Sequence, residues 1–395
     1  MTNRTPGLPW RRAVFVLFAV AAGTNVPTPL LLLYRDHLGL SAETLTALFG
    51  CYAAGLAPSL LLAGPLSDRL GRRRVVLPFV VMSGLASLLF VIASDSVPLL
   101  FVARFLQGVV SGAVFTVGSA WVGELSEVGG AGARRAAMAQ SAGFSLGPLT
   151  SGLLGEYAPY PTALPYLVHL GLIASAFTVC RGLPETLTAS LERSSTKDPL
   201  LHRDDRWRFV TVVAPVAVCV YAFPSVVISA LPVLVDLPDH GAVALTGVLA
   251  GLTLGASTAA AQLQRRWGAW TPVAAATSGA LGYATALVAA QHSAVLLLVP
   301  GALLLGAGGG LALASGLAFV AELAVPSRRG ALTGVFLATA YLGFAAPFAT
   351  AVAARHGGTS LPLGVAAGLS ALLAVRLVVE VRSRLRQARA RLWTR

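Results

Sequence analysis

The residues able to do chemistry in this 395-residue chain are few, and they are set among long apolar runs. The densest group is Gly64-Pro65-Leu66-Ser67-Asp68-Arg69-Leu70-Gly71-Arg72-Arg73-Arg74, read as a tight cationic turn with one acid. An acid at the end of one helix can cap the positive N-terminus of another, and arginines beside it can bridge to acids across a seam. That chemistry is electrostatic latching, not bond making. Arg104 stands alone inside an apolar run. A charge there costs roughly 3 to more than 10 kcal/mol in a bilayer, so it marks either a functional group or a structural pairing. A third group, Gly143, Gly147, Pro148 and Gly152, lies in one run with Ser151. Proline removes a backbone hydrogen bond and glycines admit a neighbouring helix closely, which suits a bending seam or ordinary close packing.

Other chemistries lack their residues. Cys51, Cys180 and Cys219 each sit alone, with no CxxC or Cys/His spacing, so buried inert thiols are expected and neither a disulfide framework nor a metal site is. No paired carboxylates, Ser/His set or metal ligands fall within the apolar runs. The expectation is therefore no enzyme, no metal and no cofactor. All 16 acids lie near run ends or in connections. His169 titrates in a range useful for moving protons, or is a hydrogen-bonded structural histidine. Asp36 and Glu156 are alternative proton carriers from the outer side.

The elements that position these groups follow from composition. Apolar residues make up 56% of the chain and charged residues 11%, where a soluble domain carries about 25% charged. Apolar runs near 13–34, 42–63, 75–94, 97–121, 136–156, 163–182, 209–234, 242–263, 272–290, 294–319, 331–354 and 359–380 predict twelve membrane-spanning helices. Arg11 and Arg12 before an apolar run imitate a secretion signal, but the run continues past Leu33 and reads as the first span. Within it, Pro27 and Pro29 are expected to break the helix near the outer leaflet, making Thr24, Asn25 and Thr28 cavity-lining candidates. Gln107, Tyr52, Tyr221, Ser315, Tyr341 and Phe344 are further lining candidates, each also open to a plain packing role.

The net charge of +13 would suit nucleic acid in a soluble protein. Here the basic residues lie between apolar runs, so they report topology and no nucleic-acid partner is expected. With both termini and every second connection on one side, all basic residues except Arg35, Arg104 and Arg355 fall on that side. The positive-inside rule makes it cytoplasmic. The basic run Arg382 to Arg395 is expected to lie along anionic lipid. The polar stretch 183–208 splits the spans six and six, giving an N-terminal half at 1–182, a linker at 183–208, a C-terminal half at 209–380 and a tail at 381–395. Echoes link the halves: Leu66, Arg69 and Gly71 recur 197 residues on as Leu263, Arg266 and Gly268, and Glu124-Leu125 recurs 198 on as Glu322-Leu323. One lysine against 28 arginines points to a GC-rich bacterial source.

The segment from Gly64 to Arg73 resembles the G-x-L-x-D-R-x-G-R-R signature of the major facilitator superfamily. Leu100 to Gly108 resembles that family's fourth-helix L-x-x-x-R-x-x-Q-G, and Gly143 to Gly152 its exporter motif G-x-x-x-G-P-x-x-G-G, with Ser151 departing from the pattern. Leu183-Pro184-Glu185-Thr186 is also family-like. The resemblance implies an all-α integral membrane fold of twelve helices in two pseudo-symmetric halves. It implies a proton-coupled exporter of small organic molecules, monomeric in the bacterial inner membrane, with proton uptake symport as the alternative and a non-transporting sensor or scaffold behind it. It assigns gating to Gly64, Asp68, Arg69, Gly71 and Arg72. It links Arg104 to proton transfer or substrate contact, beside the lining candidate Gln107 and the bending seam expected at Gly143, Gly147, Pro148 and Gly152. A cavity with Arg104 and no acid favours neutral or anionic cargo.

Overall fold

The computed structural model describes residues 8–126, 131–186, 205–238, 240–325 and 328–393. Most of the expected linker at 183–208 and the last residues of the tail lie outside them. The described residues are almost wholly helical, as a chain that must satisfy its own backbone in lipid requires.

They fall into two compact units, one within Met1–Leu191 plus Pro238–Gly251, the other within Glu192–Leu237 plus Leu252–Arg395. The first unit contains α1 (Pro9–Thr24), α2 (Pro27–Leu38), α3 (Ala42–Leu70), α4 (Arg72–Ile92), α5 (Val97–Glu124), α6 (Ala131–Tyr157) and α7 (Leu164–Arg181). The second opens with α8 (Asp205–Arg208), a π-helical turn at Phe209–Val213, α9 (Ala214–Ser225), a second π turn at Val226–Ala230 and α10 (Leu231–Leu234). Helix α11 (Ala242–Ala261) begins in the first unit and ends in the second. Then come α12 (Gln264–Trp267), α13 (Thr271–His292), α14 (Leu298–Leu323), α15 (Arg329–Tyr341), α16 (Ala346–Gly357) and α17 (Ser360–Trp393).

Eleven stretches of the described residues are long and apolar enough to cross a membrane. The expected fifth span is the one outside that set. It forms α6, 27 residues long, but its glycines, serines, Gln140, Arg134 and Arg135 dilute its apolar character. Proximity to a neighbouring backbone, not lipid solubility, is what its sequence serves.

Each unit has its own apolar core. In the first, Leu17, Val20, Val76, Val80, Val114, Trp121 and Ala176 from four helices close together. In the second, Val213, Ala217, Leu311, Ala312, Leu332, Phe336 and Leu377 do the same. The internal repeat reaches this packing. Gly108 and Gly112 on α5 lie against the backbone carbonyls of Tyr52 and Leu56 on α3. Gly306 and Gly310 on α14, again 198 residues on, lie against those of Thr253 and Ser257 on α11. Glycine lets two helices approach until backbone meets backbone, the contact that drives association in lipid.

Two local expectations are corrected. Residues Gly64 to Arg74 are not a turn of that length, because α3 continues through Pro65 and Asp68 to Leu70 and α4 starts at Arg72. Only Gly71 is non-helical, at φ 102°, a conformation that favours glycine. The break made by Pro27 and Pro29 also lies nearer the middle of its span than the outer edge, with sixteen helical residues before it and twelve after.

Candidate transport site

Proline dictates the geometry of the first span. Pro27 has no N–H to return to the Gly23 carbonyl, and α1 stops at Thr24. Past the break the Thr28 N–H bonds the Asn25 carbonyl, 3.1 Å away, and not that of Thr24. Two carbonyls at mid-span thus lack their i+4 donors, that of Gly23 keeping the Val26 N–H at 3.3 Å. In lipid that is expensive unless a neighbour supplies donors.

Helix α5 supplies them. Gln107 Nε2 donates to the Gly23 carbonyl at 2.6 Å, and Arg104 donates to the Thr24 carbonyl at 3.4 Å. Spacing of three residues puts both side chains on one helical face. The same guanidinium donates to Gln107 Oε1 at 3.1 Å and to Thr28 Oγ1 at 3.5 Å. Its centre lies 5.9 Å from the Phe49 ring. Ser111, one turn further along α5, shares a 3.2 Å hydrogen bond with Thr24 Oγ1. From α6, Ser151 donates to the Val26 carbonyl at 2.8 Å. Arg104 is 1% exposed, and its Nε has no hydrogen-bond partner. The charge is held by carbonyl and side-chain oxygens and one aromatic face, with Nε unused. Thr24 and Thr28 are buried in this arrangement, while Asn25 is half-buried at the break itself.

His169 on α7 belongs to a neighbouring contact. Its Nε2 is 3.1 Å from the Ala19 carbonyl, which can only accept, so Nε2 carries the proton. Nδ1 then accepts from the Ser87 hydroxyl at 2.7 Å. Both nitrogens are used by the neutral ring, and a Cβ on Gly23 would collide with it. Tyr34 donates to Tyr166 at 3.0 Å, and Tyr166 stacks on Phe90 with centroids 5.0 Å apart.

The hinge candidates fix α6 against its neighbours. A Cβ on Gly143 would sit 2.6 Å from the Phe18 carbonyl, and one on Gly147 would run into that of Ala22. Gly152 meets Val243 and Gly247 at the start of α11. Pro148 points its carbonyl toward Gly247, 2.5 Å from where a Cβ would be. Glu156, on the next turn, accepts from the N–H groups of Gly241 at 2.6 Å, Val243 at 3.0 Å and Ala244 at 3.4 Å. Its carboxylate thus caps the N-terminus of α11.

At the expected gate, Arg72 is the centre. It donates to Asp68 at 2.6 Å, to Glu124 on α5 at 2.9 Å and to the Ser67 hydroxyl. Gly71 faces the Glu185 carboxylate, which accepts from the Arg73 N–H at 3.2 Å. Trp121 Nε1 and Arg73 hold the Pro184 and Leu183 carbonyls, at 3.2 Å each. Asp68 and Arg69 are exposed, and Gly64 has no close neighbour. The structure joins Asp68, Gly71 and Arg72 with Glu124 and Glu185. Neither acid was a candidate from sequence, although the Glu124/Glu322 repeat carried the signal. In the second unit Glu322 receives Arg208 at 3.3 Å and Arg384 at 2.8 Å, with Glu380 bonded by the same two arginines at 3.0 Å.

The model of the Major Facilitator Superfamily matches residues 13–343. Relatives include the multidrug transporter MdfA of Yersinia pestis, 34% identical over 46% of this chain and 44% of that protein. The multidrug resistance protein MdtL of a Shewanella species is 40% identical over 21% of this chain and 20% of that protein. The chloramphenicol resistance protein CraA of Acinetobacter baumannii is 33% identical over 31% of this chain and 29% of that protein. These alignments span less than half the length of each relative. Among solved structures, a peptide transporter POT superposes with a TM-score of 0.77 at 14% identity, covering 94% of this chain and 93% of that one. The nucleoside transporter NupG does so with 0.76 at 13% identity, covering 94% and 99%. At such identities the likeness is one of fold.

Proposed function

The chain belongs to the major facilitator superfamily, and on that premise we propose that it is a proton-coupled exporter of small organic molecules. It works by alternating access, as a monomer in the inner membrane of a bacterium with both termini cytoplasmic. The halves 1–182 and 209–380 rock about a midplane site.

The observation that carries this reading is the broken first span held by Arg104 and Gln107. Interrupted helices near mid-membrane are where carriers of this plan bind cargo, because freed backbone groups are tolerated only against protein or an aqueous cavity. Arg104 is the coupling group, since it reaches both sides of the break. Export is supported by the glycines of α6, which seat it on α1 and on the start of α11. It is also supported by partial relatives whose names refer to multidrug and chloramphenicol resistance. Arg72 with Asp68 forms the cytoplasmic gate, and Gly147 with Pro148 the seam that bends. Arg104, the one fully buried arginine among the described residues, favours neutral or anionic cargo over cationic drugs.

Expression in an efflux-deficient bacterium, with a chemically broad susceptibility panel and Asp68→Asn beside wild type, tests the reading. Export requires resistance to some compounds that the variant loses. Hypersensitivity to a compound in wild type alone would indicate uptake instead.

A further inference from the structure

Three of the sequence's lining candidates meet in the second unit. The Tyr221 ring on α9 stacks on Tyr341 at the end of α15, with centroids 5.0 Å apart and planes 9° apart. It also stacks on Phe344, at 4.7 Å and 23°. Tyr341 and Phe344 are 6.1 Å apart with planes within 13°. The three faces are therefore nearly parallel, two rings side by side and one across them.

Tyr221 packs against the unit's core, and the two rings stacked on it are placed differently. On α15, Leu332, Phe336 and Ala340 enter the unit's core, while Tyr341 at its end and Phe344 in the turn that follows are outside it. The outward stripe of the same helix is Ala331, Val335 and Ala338, continued by Leu342 in the turn that follows, all exposed and aliphatic. The two rings belong to neither stripe and are half-buried, as is Tyr221. Both supporting helices are interrupted nearby. Helix α15 gives way to a 3₁₀ turn at Leu342–Ala345 ahead of Pro347, and α9 lies between two π-helical turns. π turns recur at functional sites. At the 3₁₀ turn Gly343 lies against the Val218 carbonyl, so no side chain separates the two backbones. The break thus brings the rings face to face, with Tyr221 against the core and Tyr341 and Phe344 outside it.

We propose that Tyr221, Tyr341 and Phe344 form a stacking platform for a planar, uncharged aromatic ring of the cargo, which deepens the exporter reading and rests on it. Aromatic faces favour offset stacking of a further ring. A cage for a quaternary cation needs ring walls set around the charge, and parallel faces do not provide them.

The test uses the purified full chain in nanodiscs and naphthalene-2-carboxamide as probe, with its decahydro analogue as the saturated match, read by saturation-transfer NMR titration. The platform requires the naphthalene to bind about tenfold more tightly than the decahydro compound, the scale of one stacking contact. Tyr341→Ala/Phe344→Ala should weaken it by about the same factor, and Tyr341→Phe should restore it. Leu342→Ala, on the outward stripe, controls for partition into lipid, and monodispersity on gel filtration controls for folding. Equal binding of both probes, no binding of either, or a double alanine variant that binds like wild type overturns the proposal. Vesicle flux of the naphthalene separates the two readings. Binding without movement leaves the platform standing and sinks export of this probe. Movement unaffected by the alanines sinks the platform alone.

Discussion

Gln107 donates its side-chain N–H to the carbonyl of Gly23 at 2.6 Å, the carbonyl from which Pro27 withholds a helical partner. A side chain on one span thereby completes the backbone of another. The break in the first span is stable because α5 is there, and α5 tolerates a buried arginine because the break offers it oxygens. Each feature alone would be costly in lipid.

Gln107→Leu should therefore destabilise the protein by about 0.5–1.5 kcal/mol, the net worth of one hydrogen bond, since the Gly23 carbonyl keeps the Val26 N–H at 3.3 Å. Thermal unfolding in detergent reads this as a lowered midpoint. A midpoint equal to wild type would mean the Val26 N–H suffices for the Gly23 carbonyl.

Arg104→Lys keeps the charge but not the planar fork that reaches Thr24, Gln107 and Thr28 through two nitrogens. Efflux rate should fall by about tenfold or more, the kinetic equivalent of one charged hydrogen bond worth ~1.5 kcal/mol. Wild-type flux in the lysine variant would reduce Arg104 to a bare charge requirement.

Gly64 and Gly71 share one motif and should respond differently. A Cβ on Gly64 would meet nothing closer than Thr116 at 3.7 Å, so Gly64→Ala should be tolerated. Gly71→Ala puts a Cβ 2.6 Å from the Glu185 carboxyl at φ 102°, and should cost about 1–3 kcal/mol and most of the transport. Parallel flux and unfolding measurements decide this, and equal behaviour of the two variants would contradict it.

Glu156→Ala should open the first turn of α11. The amides of Gly241, Val243 and Ala244 lose their acceptor, with a cost of about 0.5–2 kcal/mol typical of a removed cap. Hydrogen exchange should speed up at those amides and not at Leu249 or Ala250 further along. Unchanged exchange would show that packing against Gly152 holds the turn without the carboxylate.

The spans and the repeat were legible because lipid demands apolar runs and the halves keep glycines and an acid at matched positions. Gly108 and Gly112 recur as Gly306 and Gly310, and Glu124 as Glu322. The eleven-residue signature was legible as a motif but not as helix, since Pro65 and the charges read as a turn and only Gly71 leaves helical geometry. The partners of Arg104 were hidden for a different reason. They include a backbone carbonyl, and a sequence names side chains. Pro27 did mark the carbonyl that Gln107 takes, because a missing N–H identifies the acceptor four residues earlier. Glu156 was legible as an acid at a span end but not as a cap, and Glu185 only as part of a family-like run, because each serves backbone N–H groups distant in sequence.

Everted membrane vesicles, acidified inside by respiration, give the most direct test. The cargo is a compound to which the chain confers resistance, and the readings are its accumulation and the lumenal pH. A proton-coupled exporter drives the compound into the acid lumen, alkalinises the lumen as it does so, and does neither with Arg104→Lys or after a protonophore. A compound that leaves the lumen together with protons, or that moves equally with the gradient collapsed, would contradict the account.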